Sequence, residues 1–367
     1  MTAALETATE HQGRARVALS AALAGQPSHA YLFRGARGSG KRAAARAFAA
    51  EVLAAASEDP EDARRRALLD PSPHPDLVWL APTGAQHMVE EVRERVIRAA
   101  AYRPFEGGKR VFVVEAAEAM RDESQNALLK TLEEPPEFAH LILLSSDQEG
   151  LLETVASRCQ AIEFAPLPAA VLERELEAEG AAPEGAAAAA RLAAGDLERA
   201  RLLLGASGRE LRADVERCVA AARESNCAGA PWKGLLDRAK AAGEDAEAAA
   251  REALEGESQA GIKRSAKEIA DGAKRAGRRR RTEILALAFE LTAAWLRDLA
   301  AIASGAEEVI FNRDRLDLLR SHARGLDPAA ARRGAELVQE ARRGLELNVS
   351  EELALEALFF RLETLLA

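Results

Sequence analysis

Cysteine is nearly absent from this 367-residue chain: Cys159, Cys218 and Cys227 stand alone, an odd number with no CxxC pair. That excludes a disulfide scaffold and, on its own ligands, a four-cysteine zinc module. Aromatic residues supply only 4% of the chain while Ala, Leu, Arg and Glu dominate, so helices are expected to outnumber strands. No run of about 18 apolar residues is present to cross a bilayer. The opening stretch, MTAALETATEHQGR, lacks the basic segment of a secretory signal. A cytoplasmic protein is expected. Basic residues are outnumbered, 50 Lys and Arg against 59 Asp and Glu, a net charge of −9. This disfavours a protein that coats nucleic acid by bulk charge and leaves local basic patches open.

What the chain does have is alternation. Short apolar runs at 30–33, 77–80, 111–114, 141–144 and 161–164 read as parallel strands covered on both faces. Helical patterns lie between them, at 42–53, 89–101 and 124–132. Strand–helix alternation predicts an α/β fold, a parallel five-stranded sheet with flanking helices. After Pro166 and Pro168 the strand signals stop. Three short helices are predicted at 171–180, 186–194 and 196–204, and beyond residue 208 everything reads as helix. At this length two or three domains are expected, here 1–165, 166–207 and 208–367. Residues 243–272 are weakly apolar and read as a solvated helix pair or a mobile insertion. Two later stripes at helical spacing predict a bundle core: Ile284, Leu287, Ala288, Leu291 and Trp295, then Leu355, Leu358, Phe359 and Leu362.

Gly35-Ala36-Arg37-Gly38-Ser39-Gly40-Lys41-Arg42 follows the first run and opens a helix. This is the setting of a phosphate loop. Glycines let backbone N–H groups approach an anion, and a helix N-terminus favours negative charge. Lys41 is placed to reach β- and γ-phosphates. The bland alternative, a glycine turn entering a helix, has the full spacing against it. The next position departs from the motif, which wants a Ser or Thr hydroxyl on Mg²⁺, whereas this chain has Arg42. A guanidinium cannot ligate a cation. The second half of such a site needs a metal-binding Asp and a Glu on the attacking water. The run at 111–114 leads instead into Glu115-Ala116-Ala117-Glu118. Glu115 can stand in as the metal carboxylate, but Ala116 takes the position of the base and cannot orient water. Two defects in one site predict a P-loop fold that does not hydrolyse ATP. The expected cofactor is none, with weak ATP or ADP binding through Gly35, Gly38, Ser39, Gly40, Lys41 and Arg42 left open.

Ser28-His29-Ala30-Tyr31-Leu32-Phe33 ahead of the loop resembles the start of bacterial clamp-loader subunits. So do Asn126-Ala127-Leu128-Leu129-Lys130-Thr131-Leu132-Glu133-Glu134-Pro135-Pro136 and the later Ser157-Arg158-Cys159. The chain is similar to this AAA+ family of DNA polymerase III closely over 12–165 and more loosely beyond. There Trp295-Leu296-Arg297-Asp298, Leu347-Asn348-Val349 and Leu353-Ala354-Leu355-Glu356-Ala357 resemble its collar helices. The resemblance implies an AAA+ P-loop domain, a small helical lid and an all-α collar for oligomerisation. It also implies partners: gamma/tau and delta subunits, and within their complex the sliding clamp and primer–template DNA, with no membrane. Motor subunits of the family keep intact ATPase motifs, while delta-prime is a stator with an altered nucleotide site. Arg42 and Ala116 make this chain look like delta-prime. The lid pattern G-S-x-R agrees, because its match is Gly195-Asp196-Leu197-Glu198, an acid in place of the sensor arginine, with Arg199 adjacent.

The resemblance makes Arg158 an arginine finger, projecting into a neighbour's ATP site. Such a finger contributes about 10³–10⁵ in rate. The bland alternative is a local ion pair with a carboxylate. Ser145 and Ser146 fall where the family senses nucleotide, and Arg93, Arg95 and Arg98 on a helix facing DNA. The family's zinc module has no counterpart, since 54–76 holds no cysteine, so no zinc is expected; His74, between Pro73 and Pro75, is read as a surface residue. Cys159 is expected to pack as a small apolar group, and Pro135 and Pro136 to end a helix. The basic block 274–281 reads either as a contact to DNA phosphates or as a solvated run ahead of a collar helix. The leading reading is the stator. Its rivals are an active gamma-type ATPase, with Glu115 or Glu118 taking over catalysis, and a freestanding nucleic-acid module.

Overall fold

Alternation along each strand builds two cores on one sheet. In the computed structural model, which describes residues 2–82, 86–146, 150–259, 265–345 and 350–366, the chain forms two compact units, Met1–Leu167 and Pro168–Ala367.

The first unit runs α1 (Ala3–Ala8), α2 (Gly13–Ala24), β1 (Ala30–Gly35), α3 (Lys41–Ala54), α4 (Pro60–Leu68), β2 (Leu77–Leu80), α5 (Val89–Val92), β3 (Arg110–Val114), α6 (Asp122–Glu133), β4 (Ala139–Ser145), α7 (Glu153–Ala156) and β5 (Gln160–Phe164). The five strands are all parallel, in the order β2-β3-β4-β1-β5. Successive side chains point to opposite faces. Tyr31, Phe33, Val111, Val113, Ile142 and Leu144 pack beneath α1 to α4, while Leu32, Phe112, Val114, Leu141 and Leu143 meet α5 to α7. The middles of the central strands β1, β3 and β4 are therefore apolar on both faces, as expected for sheets covered on both sides. Edge strand β5 departs from that expectation: Gln160, Ala161 and Glu163 are exposed and only Ile162 and Phe164 are buried.

Alanine lets α3 lie close to the sheet, and it is buried at nearly every position from Ala44 to Ala54. Helix α4 starts where Asp59 caps it by accepting from Asp62 N–H at 3.1 Å, with Pro60 in its first turn. The expected helix at 89–101 is α5 followed by a π-helical turn, Arg93–Arg98. Its buried residues Val92, Val96 and Ala100 recur every fourth position, and an underwound turn keeps that wider spacing facing the sheet. His74 is a correction. It is buried, 4% exposed, because the 70–76 loop turns inward: Nδ1 of His74 accepts from Asp76 N–H at 3.2 Å. The Asp76 carboxylate in turn accepts from the N–H groups of Phe105 and Glu106.

The second unit is all helical: α8 (Ala169–Ala178), α9 (Pro183–Leu192), α10 (Leu197–Leu204), α11 (Ala206–Arg223), α12 (Lys233–Gln259), α13 (Ala266–Ala303), α14 (Leu316–Ala323), α15 (Pro328–Leu345) and α16 (Glu351–Leu366). Both predicted stripes are buried, with Trp295 2% and Phe359 0% exposed. Of the two readings of segment 243–272 the structure has the helix pair, apart from 260–264, which lie outside the described residues. It belongs to two long packed helices, because Gly243 and Gly277 allow α12 and α13 to touch backbone to backbone. The basic block is a correction: it lies within α13 and not ahead of a helix, and Arg279 and Arg280 pair with Glu283, and Arg281 with Glu351. Leu347-Asn348-Val349 falls outside the described residues. Among those described, no helix is long and apolar enough to cross a membrane.

Candidate functional site

The C-terminal ends of β1, β3 and β4 meet at one end of the sheet, where parallel α/β folds present loop atoms to ligands. The glycine loop leaves β1 here. Gly38 and Gly40 hold φ of 74° and 87°, a region that side chains disfavour. Gly35 lies so close to β5 that a Cβ would come 2.3 Å from the Phe164 carbonyl oxygen. Gly40 then caps α3, whose first N–H groups have no partners within the helix. Ser39 is fully buried and its Oγ has no hydrogen-bond partner among the described residues.

Lys41 is buried and joins the loop to β4. Its Nζ donates to the carbonyls of Gly35 and Ala36 at 2.8 and 3.0 Å, and to Ser146 Oγ at 2.8 Å. An ammonium has three donors, so an anion entering the loop must draw it from these acceptors. Gln12 fixes the loop from the other side: its Nε2 donates to the Ser39 carbonyl at 2.9 Å and to the Ala165 carbonyl at 2.7 Å.

Arg42 turns away from the loop toward two carboxylates. Its Nε donates to Glu115 Oε1 at 2.5 Å, and its Nη2 lies 2.9 Å from Asp70 Oδ2. Burial alone would lower the Arg42 pKa, but the hydrogen bond and charge of Glu115, then Asp70, raise it. Arg46, one turn along α3, reaches Asp70 Oδ1 at 2.9 Å, and its guanidinium lies 4.3 Å from the centre of the Trp79 ring. Trp79 Nε1–H donates to Glu115 Oε1 at 2.5 Å. Two arginines, two carboxylates and one indole thus form a charge-balanced cluster.

Mg²⁺ demands near-octahedral oxygen ligands and dehydrates reluctantly. This cluster offers no hydroxyl at residue 42, and its carboxylates are engaged by guanidinium groups. The residues present do not fit a magnesium ion. They do fit a phosphate, through the buried Ser39 hydroxyl, the backbone around Gly38 and Gly40, and Lys41.

Ala116, after Glu115, holds φ at 48° and leads into a short turn, Ala117–Ala119. That turn swings Glu118 back, and its Oε1 accepts from Ser146 N–H at 3.1 Å. Glu118 Oε2 is buried with no hydrogen-bond partner among the described residues. Of the two carboxylates, Glu115 faces Arg42 and Glu118 faces the end of β4.

Residues 13–168 match the family described as DNA polymerase III, delta subunit. Over 217 residues the chain is 37% identical to the DNA polymerase III subunit delta' of Pseudomonas aeruginosa, covering 56% of this chain and 65% of the relative. It is 33% identical over 156 residues to that of Bacillus subtilis, covering 41% and 46%. It is 34% identical over 137 residues to the subunit tau/gamma of Haemophilus influenzae, covering 36% and 19%. Over these residues the chain is similar to delta' and tau/gamma subunits of DNA polymerase III. It spans less than two thirds of the length of each of these relatives.

The remaining expected residues lie apart from the loop cluster. Arg158 follows α7 at the surface, its Nη2 donating to Glu133 Oε1 at 2.5 Å and its Nη1 to the Thr154 carbonyl at 2.8 Å. Glu133 ends α6, where Pro135 and Pro136 follow, so the finger candidate rests on the NALLKTLEEPP helix. Cys159 packs against the core beneath β5, and burial pushes its thiol up to about 12, which leaves it unreactive. Arg93 pairs with Glu123, Arg98 with Glu94, and Arg95 donates to the Trp79 carbonyl. Asp196 caps α10, Glu198 is exposed and Arg199 pairs with Glu290 at 2.5 Å. Sequence reasoning missed Gln12, Asp70, Arg46 and Trp79. Only Arg46 carried a signal, as the next residue on the face of α3 that bears Arg42.

Proposed function

We propose that the chain is a delta-prime-type stator of a DNA polymerase III clamp loader. It helps place a sliding clamp on primed DNA without hydrolysing ATP itself. The observation that carries this reading is the Arg42–Glu115 pair: the residue that should hold the metal is a cation, and the carboxylate that should join it is already its partner. Ala116 adds the loss of a base. In this reading Gly38, Ser39, Gly40 and Lys41 hold at most a nucleotide phosphate, which supplies charge and no turnover. Arg158 supplies its guanidinium to an ATP site on a neighbouring gamma/tau subunit, leaving Glu133 when that site forms. Residues 166–207 act as the lid and 208–367 as the collar through which the chain meets gamma/tau and delta subunits, in the cytoplasm.

The test is ATP binding and steady-state hydrolysis by the purified chain, with and without Mg²⁺. The stator predicts no turnover in either condition. Magnesium-dependent turnover abolished by Lys41→Ala would establish the rival, an active gamma-type ATPase. That rival draws support from the tau/gamma match and from Glu118, held beside Lys41 through Ser146.

A further inference from the structure

The cluster around Arg42 does more than fail to bind a metal. Glu115 and Asp70 approach from β3 and from the loop before β2, as two carboxylates near a divalent cation would. The charge they receive comes from Arg42 and Arg46. Glu115 is the more enclosed acid, its side chain 22% exposed against 47% for Asp70, so leaving it unpaired is costly. Arg42 Nε and Trp79 Nε1 both donate to its Oε1. Lys41 Nζ, beside the cluster, donates to Gly35, Ala36 and Ser146.

We propose that Arg42 is a built-in replacement for the divalent cation of this loop: its guanidinium neutralises Glu115 and Asp70, and the α/β unit is indifferent to magnesium. The inference rests on reading residues 35–42 as a degenerate phosphate loop, and it concerns the cation and not turnover. Removing the guanidinium while keeping both carboxylates uncovers a cation site. A hydroxyl at residue 42 completes its ligands; an amide fills the space without the charge.

Trp79 is the reporter, because its indole N–H is bonded to Glu115 and its ring lies beside both arginines. In the wild-type chain, millimolar MgCl₂ leaves tryptophan emission unchanged relative to NaCl of equal ionic strength. In Arg42→Thr, MgCl₂ gives a saturable change that NaCl does not. The change is lost in Arg42→Thr/Glu115→Gln and in Arg42→Thr/Trp79→Phe. Arg42→Gln, the closer match in volume, gains the same response and serves where Arg42→Thr does not fold. A wild-type magnesium response that Glu115→Gln removes would overturn the proposal, as would folded Arg42 variants that remain blind to magnesium. Failure to assemble into a clamp loader would sink the stator and leave this result standing. A magnesium-responsive wild-type chain with no turnover would do the reverse.

Discussion

Gln12 and Ala165 are joined at both ends of one amide. Nε2 of Gln12 donates to the Ala165 carbonyl at 2.7 Å, and Oε1 accepts from the Ala165 N–H at 3.0 Å. The same Nε2 also donates to the Ser39 carbonyl. A buried side chain ahead of α2 thus ties the phosphate loop to the chain leaving β5.

Gln12→Ala strips three backbone groups of their partner in a site where Gln12 is 5% exposed. Each unmet buried group costs about 1–3 kcal/mol, and water entering the gap offsets part of that, so a net loss of about 2–4 kcal/mol is expected. Urea unfolding followed by tryptophan emission measures it. A loss below about 0.5 kcal/mol would mean that the amide contributes no more than a surface contact.

Arg158 separates a structural role from a functional one. Its pair with Glu133 is exposed, at 35% and 50% of the two side chains, and such pairs contribute about 1 kcal/mol or less. Arg158→Ala should therefore leave the melting temperature of the isolated chain nearly unchanged. In a reconstituted loader the same variant should lower ATP turnover by about 10³-fold or more if a finger is lost, and Arg158→Lys should not rescue it. Unchanged turnover with normal assembly would reduce Arg158 to its ion pair.

The sheet was legible because the central strands, buried on both faces, read as apolar runs, and all five runs alternate with helices. Their ends were not. β4 begins with Ala139 followed by His140, and β3 with Arg110; the two polar residues are buried through partners elsewhere, the Ser28 carbonyl for His140 and the Ala99 carbonyl for Arg110. The phosphate loop was legible because its chemistry is local, fixed by spacing over eight residues. The partners of Arg42 were not, since Asp70 and Trp79 come from a loop and a strand with no fixed offset from it. Glu115 was found as a carboxylate, but only the fold shows that a guanidinium meets it. The α12–α13 seam stayed hidden for a different reason: close helix contact uses Gly and Ala, and those residues read as weakly apolar.

His140 gives a pH dependence with a definite sign. The ring is 1% exposed and stacks on His29 with centroids 5.4 Å apart. Its Nδ1–H donates to the Ser28 carbonyl at 2.9 Å, and its Nε2 has no hydrogen-bond partner among the described residues, so a second proton would be buried unpaired. Burial pushes the pKa from 6.5 down to about 4. The unfolded chain binds a proton below pH 6.5 that the folded chain refuses until about 4. Stability is therefore complete above 6.5 and falls as the pH drops through that window, by about 3 kcal/mol in all. His74 and His322 are lowered in the same direction. Replacing His140 with Asn should shrink the slope of unfolding free energy against pH between 6.5 and 4 without flattening it. An unchanged slope would assign the effect to the other two.

Gly277 and Gly256 provide a paired test of the second unit. Both lie inside long helices, where Ala in place of an exposed Gly stabilises by about 0.5–1 kcal/mol. At Gly256 a Cβ meets nothing within 4 Å, so Gly256→Ala should raise stability by that amount. At Gly277 a Cβ would lie 2.8 Å from the carbonyl oxygen of Gly243 and 3.0 Å from Glu247 Cβ. The first of these is backbone and cannot swing aside, so α12 and α13 must separate. Overpacking of this kind costs about 1–3 kcal/mol, more than the propensity gain, and Gly277→Ala should be destabilising on balance. Gly277→Val, larger and poorer in a helix, should cost more. Thermal unfolding of the three variants reads the signs directly. If Gly277→Ala stabilised as Gly256→Ala does, the two helices would not be in backbone contact, and the hidden seam would be no seam at all.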